Sequence, residues 1–191
     1  MSKKNKKFVK VMKLKNPKEA YVYENKYKTV EEFNDRLSSG LCADRYYFAY
    51  GSNMDLNQMA FRCPNSRYEG IGYIHNQRLV FKNTFATIIP SEGDVVPIVI
   101  YRISKADEDI LDKYEHVPNS YYKITATLAI DNDYGNQIIE GLLYVMQPVS
   151  SYSLPSNNYY NLIKSAYSLH GIDESILIDA MKFTFDKQYN F

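Results

Sequence analysis

The sequence of 191 residues has no tryptophan, two cysteines and three histidines. Two cysteines cannot build a disulfide framework or a four-cysteine zinc site, and three scattered histidines argue against a histidine-based metal centre. No apolar run approaches the roughly 20 residues that a membrane-spanning helix needs, so we expect no membrane span. The first 15 residues also lack the apolar segment of a secretory signal, which predicts a cytoplasmic protein.

Basic residues are concentrated at one end of the chain. Residues 1–15 contain seven lysines and no acidic residue, which leaves 16 basic against 22 acidic side chains and a net charge of −6 over residues 16–191. Because a chain that is acidic outside one tail lacks a basic groove, we expect no nucleic-acid partner. We interpret the tail as a solvated extension, with contact to a membrane or nucleic acid as the alternative. We expect its deletion to leave fold and turnover nearly unchanged.

The remaining composition is that of a globular protein, with 45% hydrophobic and 24% charged residues. A chain of this length suits one domain with a short appendage. We therefore assign residues 1–44 to a basic tail with a short helical extension, and residues 45–191 to the domain. The 19 tyrosines and 9 phenylalanines predict a core and a pocket rich in phenols.

Strand and helix signals indicate the fold class. A capping-box spacing of Thr29 and Glu32 predicts a short helix over 30–39. A buried strand is predicted over 45–50, and runs rich in Val, Ile, Tyr and Phe predict further strands at 68–74, 77–83, 85–89, 95–103, 121–130 and 137–146. Turn residues lie at 91–94 and 131–135, and the remaining helices are predicted over 54–62, 104–115, 156–169 and 174–183. Many short strands without βαβ alternation indicate the α+β class on a strongly curved antiparallel or mixed sheet.

The segment Tyr50-Gly51-Ser52-Asn53 lies where the first strand passes into a helix. Gly51 permits a turn with positive φ and a close approach of a ligand to the main chain. Ser52 or Asn53 is expected to cap the helix that follows, whose first N–H groups are unpaired. Such a junction can receive an anion or an oxyanion through backbone N–H groups, although an ordinary tight turn with a good helix cap has the same sequence.

Glu115 is the second candidate. It lies where the helix begun at Ser104 should end, because Pro118 restricts the chain just beyond. The negative end of the helix dipole and packing against Tyr114 and Val117 would disfavour an ionised carboxylate there. A glutamate in such a place can take up a proton and return it, whereas taken alone it also fits an exposed acid in a polar turn. We treat the adjacent His116 as a bystander.

Other catalytic interpretations have less support in the sequence. Cys63 is expected to be a buried structural residue, because nothing local marks a thiolate. Ser52 has no Gly-x-Ser-x-Gly elbow around it, so we do not assign it as a nucleophile. The acid pairs at 107/109 and 131/133 fall in helix-start and turn contexts, where acids are expected in any case.

The motifs together resemble one family. The segment Tyr47-Phe48-Ala49-Tyr50-Gly51-Ser52-Asn53-Met54, the later Leu111-Asp112-x-x-Glu115 and Pro155-Ser156-x-x-Tyr159 resemble the gamma-glutamylcyclotransferase family, which includes gamma-glutamylamine cyclotransferases and AIG2-like proteins. The resemblance spans roughly residues 45–170. It implies a small mixed or antiparallel β-barrel of the α+β class with a few flanking helices, and a cavity roofed by the Tyr-Gly-Ser-Asn loop.

The resemblance also implies an activity and its residues. Enzymes of this family, of lyase or acyltransferase type, cyclise a γ-glutamyl compound to 5-oxoproline and release an amine or amino acid. By position Glu115 matches the catalytic acid–base and Tyr159 a substrate-contacting tyrosine, with Tyr122 as a further pocket residue. The substrate-binding loop matches Tyr47, Phe48, Ala49, Tyr50, Gly51, Ser52 and Asn53. We predict a small-molecule γ-glutamyl substrate, no cofactor or metal, and a monomer or homodimer.

Two alternatives remain open from the sequence. The same chemistry could act on a specialised γ-glutamyl amide or a carrier-bound γ-glutamyl group, since the motifs match the γ-glutamyl head and not the leaving group. The scaffold could instead be a non-catalytic module that binds a small ligand, since a fold alone does not establish a function.

Overall fold

The computed structural model describes residues 27–35, 45–132 and 135–189. The lysine-rich tail and Cys42 lie outside the described residues. The elements in chain order are α1 (Val30–Asn34), β1 (Arg45–Ala49), a 3-10 turn (Ser52–Met54), α2 (Leu56–Arg62), β2 (Arg67–Lys82), β3 (Phe85–Ile103), α3 (Lys105–Tyr114), β4 (Tyr121–Asn132), β5 (Gly135–Met146), α4 (Asn157–Leu169) and α5 (Ser175–Tyr189).

The five strands form one mixed sheet in the order β2-β3-β1-β5-β4. Two antiparallel hairpins, β2–β3 and β4–β5, flank the short central β1. β1 pairs antiparallel with β3 and parallel with β5, where Tyr46 lies opposite Gly141. The strand that carries the candidate loop is therefore held from both sides, with Phe48 and Ala49 fully buried.

The predicted α+β class and mixed sheet are confirmed, but the predicted barrel does not close. Within the described residues β2 and β4 are the two edges, and no hydrogen-bonded ladder joins them. The sheet curls far enough for these edges to touch through side chains: a Cβ added at Gly72 on β2 would lie 3.4 Å from Leu128 Cδ1 on β4. Apolar packing thus takes the place of the missing ladder.

Four of the predicted strands merge into two long ones. The segments 68–74 and 77–83 form the single strand β2, and 85–89 and 95–103 form β3. The predicted turn at 91–94 is an irregularity within β3: the register jumps from His75 opposite Val95 to Gln77 opposite Pro90. The Asn76 side chain accepts a hydrogen bond from the Gly93 N–H at 3.0 Å across this bulge. Bulges of this kind bend and twist a sheet, which contributes to its curl.

The predicted helix starts are largely confirmed. Ser104 and Asp107 form a reciprocal capping box at the start of α3, and the helix ends with Glu115 as its C-cap. Thr29 caps α1 by accepting from the Glu32 N–H. Helix α5 runs to Tyr189, beyond the predicted end at 183. No helix in the described part of the chain is both long and apolar enough to cross a membrane.

The described part of the N-terminal extension is packed against the sheet. Phe33 of α1 is fully buried and lies against Tyr101, with ring centroids 5.9 Å apart. The Asn34 carboxamide both donates to the Tyr68 carbonyl, at 3.1 Å, and accepts from the Tyr68 N–H, at 2.9 Å. The side chain of Asn34 thereby covers part of the β2 edge, which would otherwise expose unpaired backbone groups.

Candidate active site

A cavity opens where β1 ends, beside the C-terminal end of α3. The loop after β1, the β2–β3 hairpin, the ends of α3 and β5, the start of β4 and the first turn of α4 all contribute to its wall. The lining residues are Tyr47, Tyr50, Gly51, Ser52, Asn53, Phe85, Ala86, Tyr114, Glu115, Tyr121, Tyr144 and Tyr159. Six of these are tyrosines, and Glu115 is the charged residue among them.

Most of the residues that the sequence predicts for the site lie on this wall. Glu115, Tyr159 and the loop residues Tyr47, Tyr50, Gly51, Ser52 and Asn53 line the cavity. Phe48, Ala49 and Tyr122 are not among the lining residues. Side chains alternate between the two faces of a strand, so Phe48 lies on the opposite face of β1 from Tyr47. There the Phe48 ring packs over Gly141. By the same alternation Tyr121, rather than Tyr122, faces the cavity.

The role expected for Gly51 needs correction. Its φ is −117°, so the turn does not use the positive φ that the sequence suggested. Glycine is favoured there because the chain passes close to other elements. A Cβ at this position would lie 3.2 Å from the Tyr159 hydroxyl and 3.4 Å from the Ala86 Cβ. A side chain at position 51 would therefore crowd the cavity wall.

The capping of α2 also differs from the expectation. Neither Ser52 nor Asn53 caps that helix; Asp55 does, by accepting from the Gln58 N–H at 2.9 Å. The loop first makes a 3-10 turn, in which the Met54 N–H donates to the Gly51 carbonyl at 3.0 Å. This extra turn leaves the side chains of Ser52 and Asn53 available for other partners.

Arg62, the last residue of α2, donates hydrogen bonds to the side chains of both Ser52 and Asn53. It is only 6% exposed. The Nη1 group donates to Ser52 Oγ at 3.1 Å and to Asn53 Oδ1, and Nη2 donates to the Tyr114 hydroxyl. The guanidinium also lies 3.7 Å from the centroid of the Tyr114 ring. One buried cation therefore ties the loop to the residue that precedes Glu115.

The hydroxyl groups of the cavity differ in where their protons go. The hydroxyls of Tyr50 and Tyr121 donate to the backbone carbonyls of Tyr144 and Ala86. The Tyr144 hydroxyl donates to Asp112 Oδ1 at 2.7 Å. These three protons point into the protein framework.

Tyr47 and Tyr159 have the opposite arrangement. The Tyr47 hydroxyl accepts from Asn53 Nδ2 at 2.7 Å, and the Tyr159 hydroxyl accepts from the Ala86 N–H at 3.3 Å. A hydroxyl that accepts one hydrogen bond still has its own proton to donate. These two phenols can therefore donate to a ligand in the cavity.

Glu115 acts electrostatically on four of the six wall tyrosines. Burial raises the pKa of Tyr47, Tyr50, Tyr121 and Tyr159, and the negative charge of Glu115 raises each pKa further. All four phenols therefore remain protonated near neutral pH. The Glu115 carboxylate thus lies within electrostatic range of these four hydroxyl groups.

The residues around the Leu111-Asp112-x-x-Glu115 motif have separate structural roles. Leu111 is fully buried, and its carbonyl accepts from the Glu115 N–H at 2.8 Å. Asp112 accepts from Tyr144 and from Lys123 Nζ, the latter at 2.8 Å. Burial and this carboxylate raise the pKa of Tyr144. The motif thus fixes the helix end and one wall tyrosine.

Cys63 and His116 take no part in this wall. Cys63 is buried, as expected, with its Sγ 3.8 Å from the Asp107 carbonyl. His116 is outside the cavity and lines a separate open surface depression. Among the described residues, no group of three or more His, Cys, Asp or Glu residues could hold a metal ion.

Sequence reasoning missed several residues of the site. Arg62 carries no local motif, and Phe85, Ala86, Tyr121 and Tyr144 are ordinary strand residues whose approach to the loop depends on the curl of the sheet. The unusual number of tyrosines was the available signal, and it indicated the character of the pocket without the positions.

Comparison with known proteins places the chain in a family. The sequence model described as gamma-glutamyl cyclotransferase, AIG2-like, matches residues 47–165, more than half of the chain. The chain is 28% identical over 103 residues to a gamma-glutamylcyclotransferase of Bos taurus, covering 48% of this chain and 54% of the relative. It is 29% identical over 89 residues to one of Homo sapiens, covering 41% and 47%. The matches thus span about half the length of these relatives.

A solved structure has a similar fold. A protein named gamma-glutamyl cyclotransferase superposes with a TM-score of 0.58 at 22% identity, covering 72% of this chain and 98% of the other. At this identity the comparison establishes a shared fold.

Proposed function

Because the chain belongs to the AIG2-like gamma-glutamyl cyclotransferase family, we propose that it cyclises a γ-glutamyl compound to 5-oxoproline and releases an amine or amino acid. The observation that carries the proposal is the presence of Glu115 on the same cavity wall as the Gly51–Asn53 loop and the phenols of Tyr47 and Tyr159. One acid–base group and several hydrogen-bond donors thus face one bound molecule.

The reaction requires the movement of one proton between two nitrogens. The α-amine of the substrate attacks its own γ-carbonyl, so a C–N bond forms in a five-membered lactam while the bond to the leaving nitrogen breaks. The attacking amine must lose a proton and the leaving amine must gain one. Glu115 performs both transfers, taking the proton from the first nitrogen and giving it to the second. The scheme assigns no role to a metal or nucleotide.

The remaining wall residues hold the substrate in a folded conformation. Because the attack is intramolecular, much of the acceleration comes from fixing the amine close to the carbonyl. Backbone N–H groups of the Gly51–Asn53 loop and the Tyr159 hydroxyl bind the α-carboxylate or the oxyanion that develops on the γ-carbonyl. The γ-glutamyl head is the part these groups recognise, and the leaving group extends towards the opening.

The test is a panel of γ-glutamyl dipeptides and γ-glutamyl amines, incubated with purified full-length protein and followed by mass spectrometry. We expect 5-oxoproline and the free amine in equal amounts from at least one compound, without added cofactor. A folded sample that is inert across the panel would contradict the proposal and favour a ligand-binding module. Heat-inactivated protein provides the blank for spontaneous cyclisation.

A further inference from the structure

Arg62, Asn53 and Tyr47 form a continuous chain of hydrogen bonds behind the cavity wall. The Arg62 guanidinium donates to Asn53 Oδ1, and Asn53 Nδ2 donates to the Tyr47 hydroxyl at 2.7 Å. All three residues are at most 6% exposed. Of the three, Tyr47 and Asn53 line the cavity, and Arg62 lies behind them.

The chemistry of arginine fixes the direction of this chain. A guanidinium has only donors, so the Asn53 oxygen must face Arg62 and the amide nitrogen must face Tyr47. An amide nitrogen can only donate, so the Tyr47 oxygen must accept. Within the described residues Tyr47 Oη has no other hydrogen-bond partner. Its proton is therefore available for donation into the cavity.

We propose that Arg62, by fixing the orientation of the Asn53 carboxamide, makes the Tyr47 hydroxyl a hydrogen-bond donor to an anionic oxygen of the bound substrate. Tyr47 then contacts the ligand, while Asn53 and Arg62 are positioning residues that act through it. The inference rests on the proposed function and deepens it, because it assigns a second side-chain donor beside Tyr159. The acceptor is the α-carboxylate or the developing oxyanion of the γ-glutamyl head.

Substitution of Asn53 by aspartate tests the direction of the chain with little change in shape. An aspartate still accepts from Arg62, but its other oxygen cannot donate to Tyr47, so the Tyr47 proton turns towards it. We expect a kcat/KM loss of roughly tenfold to a hundredfold, the value of one hydrogen bond to a charged group. The melting temperature should be unchanged or higher, because the new carboxylate forms an ion pair with Arg62. A purely structural role for Asn53 would instead lower stability and activity together.

A double-mutant cycle separates the hydrogen-bond direction from the added charge. Tyr47→Phe removes the proposed donor and should cause a loss similar to that of Asn53→Asp. When Asn53→Asp is added to the Tyr47→Phe variant, it should cause no further loss beyond about twofold, because neighbouring residues that act as one unit are not additive. If the new charge alone were responsible, Asn53→Asp would cause the same loss with and without the Tyr47 hydroxyl.

Arg62 itself has a matched control in the same protein. Arg102 also lies over a tyrosine, 3.9 Å from the Tyr46 ring centroid, and donates to its hydroxyl at 2.6 Å. Neither Arg102 nor Tyr46 lines the cavity. Arg62→Met should lower kcat/KM at least tenfold, and Arg62→Lys, which keeps a donor, should recover part of it. Arg102→Met should leave turnover within about twofold.

The outcomes distinguish this inference from the function on which it rests. An inert wild-type protein would overturn both. An active wild-type protein whose Asn53→Asp variant keeps its kcat/KM would overturn the inference alone. The inference alone would also be overturned if Asn53→Asp lowered kcat/KM by the same factor in the wild type and in the Tyr47→Phe variant.

Discussion

Replacement of Glu115 by glutamine tests the centre of the proposed chemistry. The change keeps the length and the planar head of the side chain but removes its ability to take up a proton. The local backbone should be preserved, because the Glu115 N–H donates to the Leu111 carbonyl whichever side chain is present. The α3 helix should therefore still end at the same residue.

The expected effect on rate is large, and the expected effect on stability is small. If Glu115 carries the proton between the two nitrogens, kcat should fall by roughly two to four orders of magnitude. At about 1.36 kcal/mol per decade, this corresponds to about 2.7–5.4 kcal/mol in the activation free energy. Removing a negative charge from the C-terminal end of a helix changes stability by about 0.3–1 kcal/mol in the favourable direction.

The assay is steady-state release of 5-oxoproline as a function of pH, with thermal unfolding measured on the same samples. We expect the variant to lose kcat at every pH and to retain affinity for the substrate, because the loop and the aromatic wall make most ground-state contacts. Asp109→Asn is the matched control: it removes one negative charge from the same helix at an exposed position paired with Lys105. Its turnover should stay within about twofold of wild type.

Two results would refute this assignment. A Glu115→Gln variant with near-normal kcat would exclude Glu115 as the acid–base group and direct attention to Ser52 or a bound water. An equal loss of rate in Asp109→Asn would indicate a general effect of charge on α3.

Three further predictions concern the fold around the site. Phe33→Ala should lower the free energy of unfolding by about 3–5 kcal/mol, a fall in melting temperature of roughly 6–20 °C, because a fully buried ring is lost. Phe185→Ala, at a half-exposed position, should have a much smaller effect. Similar melting temperatures for the two variants would contradict the docking of α1. Gly51→Ala should lower kcat/KM about tenfold or more with little change in melting temperature, because the methyl group crowds the cavity wall. Unchanged kinetics would show that the wall has room for the methyl group. Burial lowers the pKa of His170, so the folded state binds a proton on this side chain less readily than the unfolded state. The contribution of His170 to the free energy of unfolding should be complete above about pH 6.5 and should decrease as the pH falls below that value. Thermal unfolding measured against pH should depend less on pH in His170→Gln, and a curve for the variant parallel to that of the wild type would contradict this prediction.

Local sequence determined the elements whose signals are short in range. The reciprocal bonds between Ser104 and Asp107 need only residues three positions apart, so the start of α3 was predictable. Its end at Glu115 was predictable from Pro118, which restricts the chain just beyond. The loop after β1 was placed at the right junction for a similar reason. The α+β class followed from many short runs rich in Val, Ile, Tyr and Phe that do not alternate regularly with helices.

The way in which distant residues meet depends on how the elements pack. The contact of Arg62 with Tyr114 joins residues 52 positions apart and depends on how α2 packs near α3. Phe33 is part of the core because α1 docks beside Tyr101, which the capping-box spacing that predicted the helix does not specify.

In the cavity, too, some features could be predicted from the sequence and others depend on how the chain packs. The chemical groups available to the site could be read from the sequence: a glutamate at a helix end, a glycine-containing loop and many phenols. The curl of an open sheet brings Tyr121 and Tyr144 to the same wall as that glutamate, whereas Tyr122 faces away because side chains alternate along β4. It also brings the Tyr159 hydroxyl close to Gly51, so that the closeness of this group, rather than φ, favours glycine there. Sequence patterns report which groups a segment carries, whereas the direction of a hydrogen bond or the width of a cavity depends on atoms brought together from the whole chain.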